Sequence, residues 1–334
     1  MIHLPIRKLL APESSESFPF YDTPSWERFQ MLLYAYRTII NLTTYALLAL
    51  TWERSLRKPA LNQLPEECLE LIKNTLFTAN SSDKKLSNLD LLKKLGLFLT
   101  ADQQDKFISQ FAILISELDE NEYRWALDDL ESKVKNQEHY RAYFPASPDP
   151  DAFTFCLETE HSLAIIMILF GFWVNYSLTS IKDIGFLKFH RLKERTYLHR
   201  IVQLQYGHVS VKPDDDQFSI PTPLETTSII LHLHDKWSSG GLNLSPFLID
   251  RNALIRAPKA DLHYLLSFST QGKGAFCYRK LNSYEGTWDI PSKEKPKSVL
   301  PTKEAKEEAI YHALLKKQIT AFAQTVLNKS LDEL

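Results

Sequence analysis

Before residue 200, apolar residues recur at helical spacing over long stretches; after it come short alternating runs with turn signals, then one long helix with a polar face. Phe29, Leu32, Leu33, Tyr36, Ile39, Ile40, Ala46, Leu47 and Leu50 keep one broad stripe. That stripe predicts a helix opened by Thr23-Pro24, with threonine as cap and proline in the first turn, running to about Arg54. Shorter helices are predicted from Pro65 and around Leu89 to Leu95. Thr100 and Gln103 have capping-box spacing and predict another, carrying Phe107, Ile108, Phe111, Leu114, Ile115 and Leu118. Residues 121–143 read as a charged helix anchored by Trp125, Leu127, Leu130 and Val134, and residues 145–151 as a loop.

Residues 163–174 are unbroken apolar and extend through Asn175, Tyr176 and Ser177 to Leu178. A bilayer crossing needs roughly 17–25 such residues, so the run predicts a helix over 159–181, buried on all sides at the centre of a bundle. A membrane element is the competing reading. Residues 186–199 are expected to form a further helix. Residues 202–211 alternate as a half-exposed strand, 224–237 fit helix or strand, and 247–255, 263–270 and 275–281 read as strands. Gln271-Gly-Lys-Gly274 is the clearest hairpin turn. A final helix is expected over 303–327, with Ala309, Ile310, Ala313, Leu314, Phe322, Val326 and Leu327 inward.

The resulting fold class is α+β, mainly α. It comprises an extended arm over 1–22, a helical bundle over 23–200, a small antiparallel β region over 201–291, a linker over 292–302 and a C-terminal helix over 303–334. Nine glycines suit a helix-rich chain and offer no glycine-lined cofactor cradle, and no cofactor is indicated. A net charge of −2 argues against a globally basic nucleic-acid binder. Three scattered cysteines, Cys68, Cys156 and Cys277, form neither a disulfide framework nor a cysteine zinc site, and with no secretory pattern at the start the expected compartment is the cytoplasm.

One local cluster breaks the charge balance. Lys188, His190, Arg191, Lys193, Arg195, His199 and Arg200 stand against the single acid Glu194. On a helix, Arg191, Arg195 and His199 share one face, able to bind phosphates or to dock on the acidic stretches 117–122 and 128–131. His232 and His234 lie two apart and could share one face of a strand; they are the best metal candidates, short of a full ligand set. No phosphate loop, GxSxG motif or catalytic-cysteine signature is present.

A helical bundle bearing arginine and histidine on one helix is similar to the HEPN ribonucleases, whose motif places four to six residues between the two. Here Arg195 and His199 have three between them, and Arg191 and His199 have seven. Arg256 and His263 have six, but Ala257 is not polar and Pro258 breaks a helix. No catalytic residues follow. The helical first part, followed by Leu244-Ser-Pro-Phe-Leu-Ile-Asp250 and a hairpin, resembles uncharacterised modules fused or adjacent to bacterial defence and signalling proteins. That resemblance implies a regulatory or adaptor role. The expected function is therefore non-enzymatic interaction with a protein partner. Nucleic acid comes second, through a degenerate site built on Arg191, Arg195, His199, His232 and His234. Membrane association comes third.

Overall fold

A computed structural model describes residues 25–57, 64–77, 88–100, 109–144, 150–187, 196–204, 217–220, 227–233, 241–253, 260–269, 275–281, 287–291 and 303–334. Its chain divides into two compact units that interleave along the sequence: Met1–Leu47 with Asn80–Val174, and Leu48–Ala79 with Asn175–Leu334. The fold class is α+β and mainly α.

The first unit is a helical bundle. Helix α1, Trp26–Arg57, gives it residues 26–47. Its cap is Ser25, whose Oγ accepts the Arg28 N–H at 3.1 Å; the proposed cap Thr23 lies outside the described residues. Helix α2, Glu66–Leu76, belongs to the second unit. Helices α3, Leu89–Thr100, and α4, Ser109–Glu117, return to the first. Thr100 does not open a helix as expected. It ends α3, and its hydroxyl bonds back to the Gly96 carbonyl at 2.9 Å, an i−4 bond that competes with capping. Helices α5, Asn121–Lys135, and α6, Gln137–Arg141, together fill the expected 121–143 segment.

Helix α7, Pro150–Leu169, corrects the central-helix expectation at both ends. Pro150 stands in the first turn, where a missing N–H costs nothing, so residues 150–151 of the expected loop are helical; 145–149 lie outside the described residues. The helix stops before Phe170, a 3-10 turn Gly171–Asn175 follows, and strand β1 begins at Tyr176. The bundle is closed at one end by packed rings: Trp26, Phe29 and Phe144 lie 5.4–5.6 Å apart, and Phe155 of α7 meets Tyr140 and Tyr143 edge-on at 5.1 Å.

The second unit holds two antiparallel sheets. In the first, strands β1 (Tyr176–Leu187), β2 (Thr196–Leu204), β3 (Gln217–Ile220), β4 (Ile229–Leu233) and β5 (Leu242–Asn243) run in the order β3-β2-β1-β4-β5. Ile181, Ile201 and Ile230 form its core. The second takes β6 (Leu248–Asp250), β7 (Leu262–Ser269), β8 (Ala275–Lys280) and β9 (Thr287–Pro291) in sequence order. Ser245-Pro246 is a cis peptide between the sheets.

The sheet region therefore starts about 25 residues before the expected residue 201. The expected helix over 186–199 is overturned: 186–187 end β1, 196–199 open β2, and 188–195 lie outside the described residues. Tyr197, Ile201 and Val202 are β-formers, and a central antiparallel pair outweighs helical charge spacing. The ambiguous 224–237 segment resolves as β4 over its described core.

Helix α8, Lys303–Phe322, continues as a π turn over Ala323–Leu327. Phe322, Val326 and Leu327 are buried as expected, but over the earlier turns the face differs: Ala309, Ile310 and Ala313 are exposed, whereas Tyr311, Leu315 and Ile319 are buried. Phe322 meets Phe247 edge-on at 5.0 Å, and the Tyr311 hydroxyl donates to the Asp250 carbonyl at 3.2 Å. Burial of the Tyr311 ring, with its hydroxyl satisfied, fixes the face of those earlier turns.

Candidate functional site

Of the basic cluster, His199 and Arg200 are described, and they stand on strand β2 and not on a helix. Lys188, His190, Arg191, Lys193 and Arg195 fall outside the described residues. His199 and Arg200 are neighbours on β2, so they point to opposite sides of the sheet. Arg200 is exposed; His199 is fully buried, and its Nδ1 donates to the Tyr197 carbonyl at 3.1 Å.

Of the metal pair, His232 is described. His232 is buried on β4. Its Nδ1 donates to the Leu233 carbonyl at 3.0 Å, which leaves Nε2 to accept the Thr179 hydroxyl at 2.9 Å. Both ring nitrogens are engaged, and His234 lies outside the described residues. His263 is likewise buried, and desolvation holds its pKa below the ordinary 6.5. Among the described residues, no group of three or more His, Cys, Asp or Glu is placed to hold a metal ion.

The densest buried polar group is one that sequence reasoning missed. Asp250, at the end of β6, is wholly buried. Its Oδ2 receives the Ser180 hydroxyl at 2.6 Å and the Lys182 ammonium; its Oδ1 receives the backbone N–H of Asn252 at 2.9 Å and of Asp261 at 2.8 Å. Burial pushes the Lys182 amine below its usual range, and the Asp250 charge opposes that shift. A serine, a lysine and a carboxylate invite comparison with a nucleophile and its base. The four donors fill the carboxylate's acceptor sites, and Ser180, Lys182 and Asp250 are all buried. The arrangement joins the two sheets and presents no reactive group to a substrate.

Helix α7 is different. Ala152, Cys156, Thr159, Leu163, Ile166 and Phe170 form a buried heptad-spaced seam. Polar bonds fix that side of the helix. Arg28 of α1 pairs with Glu160, its Nε 2.9 Å from Oε1, and Ser162 donates to Asp129 of α5 at 2.6 Å. Asp129 also holds the buried Lys133 at 2.8 Å. Burial raises the Cys156 thiol pKa, so this cysteine behaves as a small apolar core group.

A second stripe lies roughly 140° around the axis at 3.6 residues per turn. Phe153 and Leu157 are each 45% exposed, Ile168 is 73% exposed, and His161 and Ala164 between them are exposed too. Trp125 of α5, 45% exposed, stacks on the His161 ring at 5.7 Å and widens the stripe. The run expected to be wrapped on every side is thus covered on one side only. Met167 is half-buried, Ile168 faces solvent, and Ile166 and Phe170 are in the core. The available signal was that 152, 156, 159, 163 and 166 fall on one face of a helical wheel and 153, 157, 161, 164 and 168 on another.

Among the described residues, α7 is the one helix long and apolar enough to cross a membrane, and 39% of that stretch is buried.

No protein-family model, no curated protein and no solved structure matches the chain.

Proposed function

We propose that this chain is a non-enzymatic protein-interaction module that docks a partner on the outer stripe of α7. The observation that carries this reading is that α7 has two apolar faces and its own bundle covers one. The stripe from Phe153 to Ile168 runs roughly 22 Å, four helical turns, at 1.5 Å per residue. Scattered exposed apolar side chains are ordinary; Phe153, Leu157, Ala164 and Ile168 on one face, with Trp125 stacked on the His161 that stands among them, mark an interaction surface. The three cysteines form no disulfide, which fits a reducing compartment such as the cytoplasm. A regulatory or adaptor role in a bacterial defence or signalling system is compatible with such a surface.

A membrane-surface helix is the second reading, favoured by the length and apolarity of α7. Interfacial helices present lysine and arginine to anionic headgroups. Helix α7 has neither, and carries Asp151, Glu158 and Glu160 instead. The nucleic-acid reading loses His199 to the interior of the second unit and keeps exposed Arg200.

The test is a Leu157→Asp/Ile168→Asp double variant of the full chain. It should melt as the wild type does, bind less of a hydrophobic dye, and lose a partner that the wild type retains on co-purification. Equal dye and partner binding by both proteins would refute the reading.

A further inference from the structure

The stripe's spacing and its rim say what kind of partner it takes, an inference that rests on the docking reading above. Leu157, His161, Ala164 and Ile168 follow one another at intervals of four, three and four, the seam spacing of packed helices. Ala164 is small between larger neighbours, which leaves a hole for a knob from a facing helix. An extended peptide binds by adding to a free sheet edge, and a helix surface offers none.

The rim is acidic. Glu158 flanks the stripe on α7, its side chain 57% exposed and 3.8 Å from the buried Lys133 ammonium. Exposed Glu122 and Asp128 stand three residues either side of Trp125 on α5, on the turns above and below it. Helix α7 contains no lysine or arginine, and on α5 the exposed carboxylates Glu122 and Asp128 stand against exposed Arg124. A second copy of this chain would bring an equally acidic α7, and an anionic lipid surface would repel the same rim.

We propose that the outer stripe of α7 binds an amphipathic α-helix whose apolar seam is flanked by lysine or arginine. Apolar anchors would fill the positions around Ala164 and cover Trp125 and Ile168. The flanking cations would meet Glu122 and Asp128, with the outer side of Glu158, setting orientation and on-rate more than affinity.

Three synthetic three-heptad peptides test this against the full-length protein by fluorescence anisotropy. All share the same leucine seam; one is flanked by lysine, one by glutamate, and one is the lysine peptide broken by two central prolines. The lysine helix should bind roughly tenfold or more tighter than the other two and weaken with salt. It should lose binding to Ile168→Asp, and Glu122→Lys/Asp128→Lys should shift preference toward the glutamate peptide. If all three bind alike and Ile168→Asp abolishes every one, the basic-helix assignment falls while the docking surface stands. If none binds, both fall. A protein that is dimeric in solution and made monomeric by Ile168→Asp would show that a second copy occupies the stripe, overturning the proposal. Binding to anionic vesicles that Ile168→Asp removes would overturn it as well.

Discussion

The Lys182 ammonium on β1 and the Asp250 carboxylate at the end of β6 form an ion pair shut away from water, tying one sheet of the second unit to the other. Asp250 also receives Ser180 and two backbone N–H groups, so its removal strands several donors at once. Breaking a buried pair from one side costs about 3–5 kcal/mol, because the remaining charge stays buried without its partner. Asp250→Ala should lose about that much in denaturant unfolding. A Lys182→Met/Asp250→Leu double variant should lose less than the sum of its single variants. A loss below about 1 kcal/mol for Asp250→Ala would show the pair to be incidental.

Two isoleucines a half-turn apart on α7 should respond oppositely to the same substitution. Ile166 is fully buried and Ile168 is 73% exposed. Ile166→Asp puts an unpaired carboxylate in the bundle core and should cost more than about 4 kcal/mol, enough to unfold the unit. Ile168→Asp should change stability by no more than about 0.5 kcal/mol. Thermal melts of the two variants check this; equal losses would mean both faces of α7 are covered.

His263 sets an acid limb in the second unit's stability. Burial lowers its pKa in the folded protein below 6.5, against Asp261, which acts to raise it. The unfolded chain therefore takes up the proton first as pH falls. Stability is fully present above about pH 6.5 and declines as pH drops toward the lowered folded value. His263→Asn keeps a donor for the Asp261 carbonyl and removes the titration. It should flatten the stability profile between about pH 6.5 and 5 relative to wild type. Unfolding midpoints across that range give the answer; parallel profiles would assign the acid limb elsewhere.

Thiol accessibility should order the cysteines. Cys68 and Cys156 are buried, Cys277 on β8 is half-buried, and burial keeps the Cys156 thiol protonated. Iodoacetamide under native conditions should modify Cys277 first and Cys156 only on unfolding. Early modification of Cys156, read by peptide mass spectrometry, would contradict the close packing of α7 on α1.

The hairpin of β7 and β8 could be read from residues alone: two alternating runs separated by Gln271-Gly-Lys-Gly274, and Ser269 does pair with Ala275. Strand β1 could not. Residues 176–179 alternate, but the phase breaks at Ser180, both faces of 176–182 are buried, polar Ser177, Thr179, Ser180 and Lys182 included, and the stretch follows directly on an apolar run read as helical. The 188–200 cluster misled for a related reason: charge spacing suggested a helical face, while Tyr197, Ile201 and Val202 belonged to a strand. Helix α8 had two candidate apolar faces over its first turns, and only the fit of Tyr311 against β6 chooses between them. The α7 stripe was visible as hydrophobicity and invisible as exposure. A helix apolar on two sides looks the same in sequence whether neighbours cover one face or both.

An outer face of α7 that is open in the isolated protein and closes on a basic helix is read from the thiol-labelling rate of Ile168→Cys in the full chain, with and without the lysine-flanked peptide. The rate should be close to that of an exposed thiol, slowed by the peptide and unaffected by its glutamate counterpart. A thiol that labels slowly before any peptide is added, or at the same rate with it bound, would show that the face is closed or is not where the helix docks.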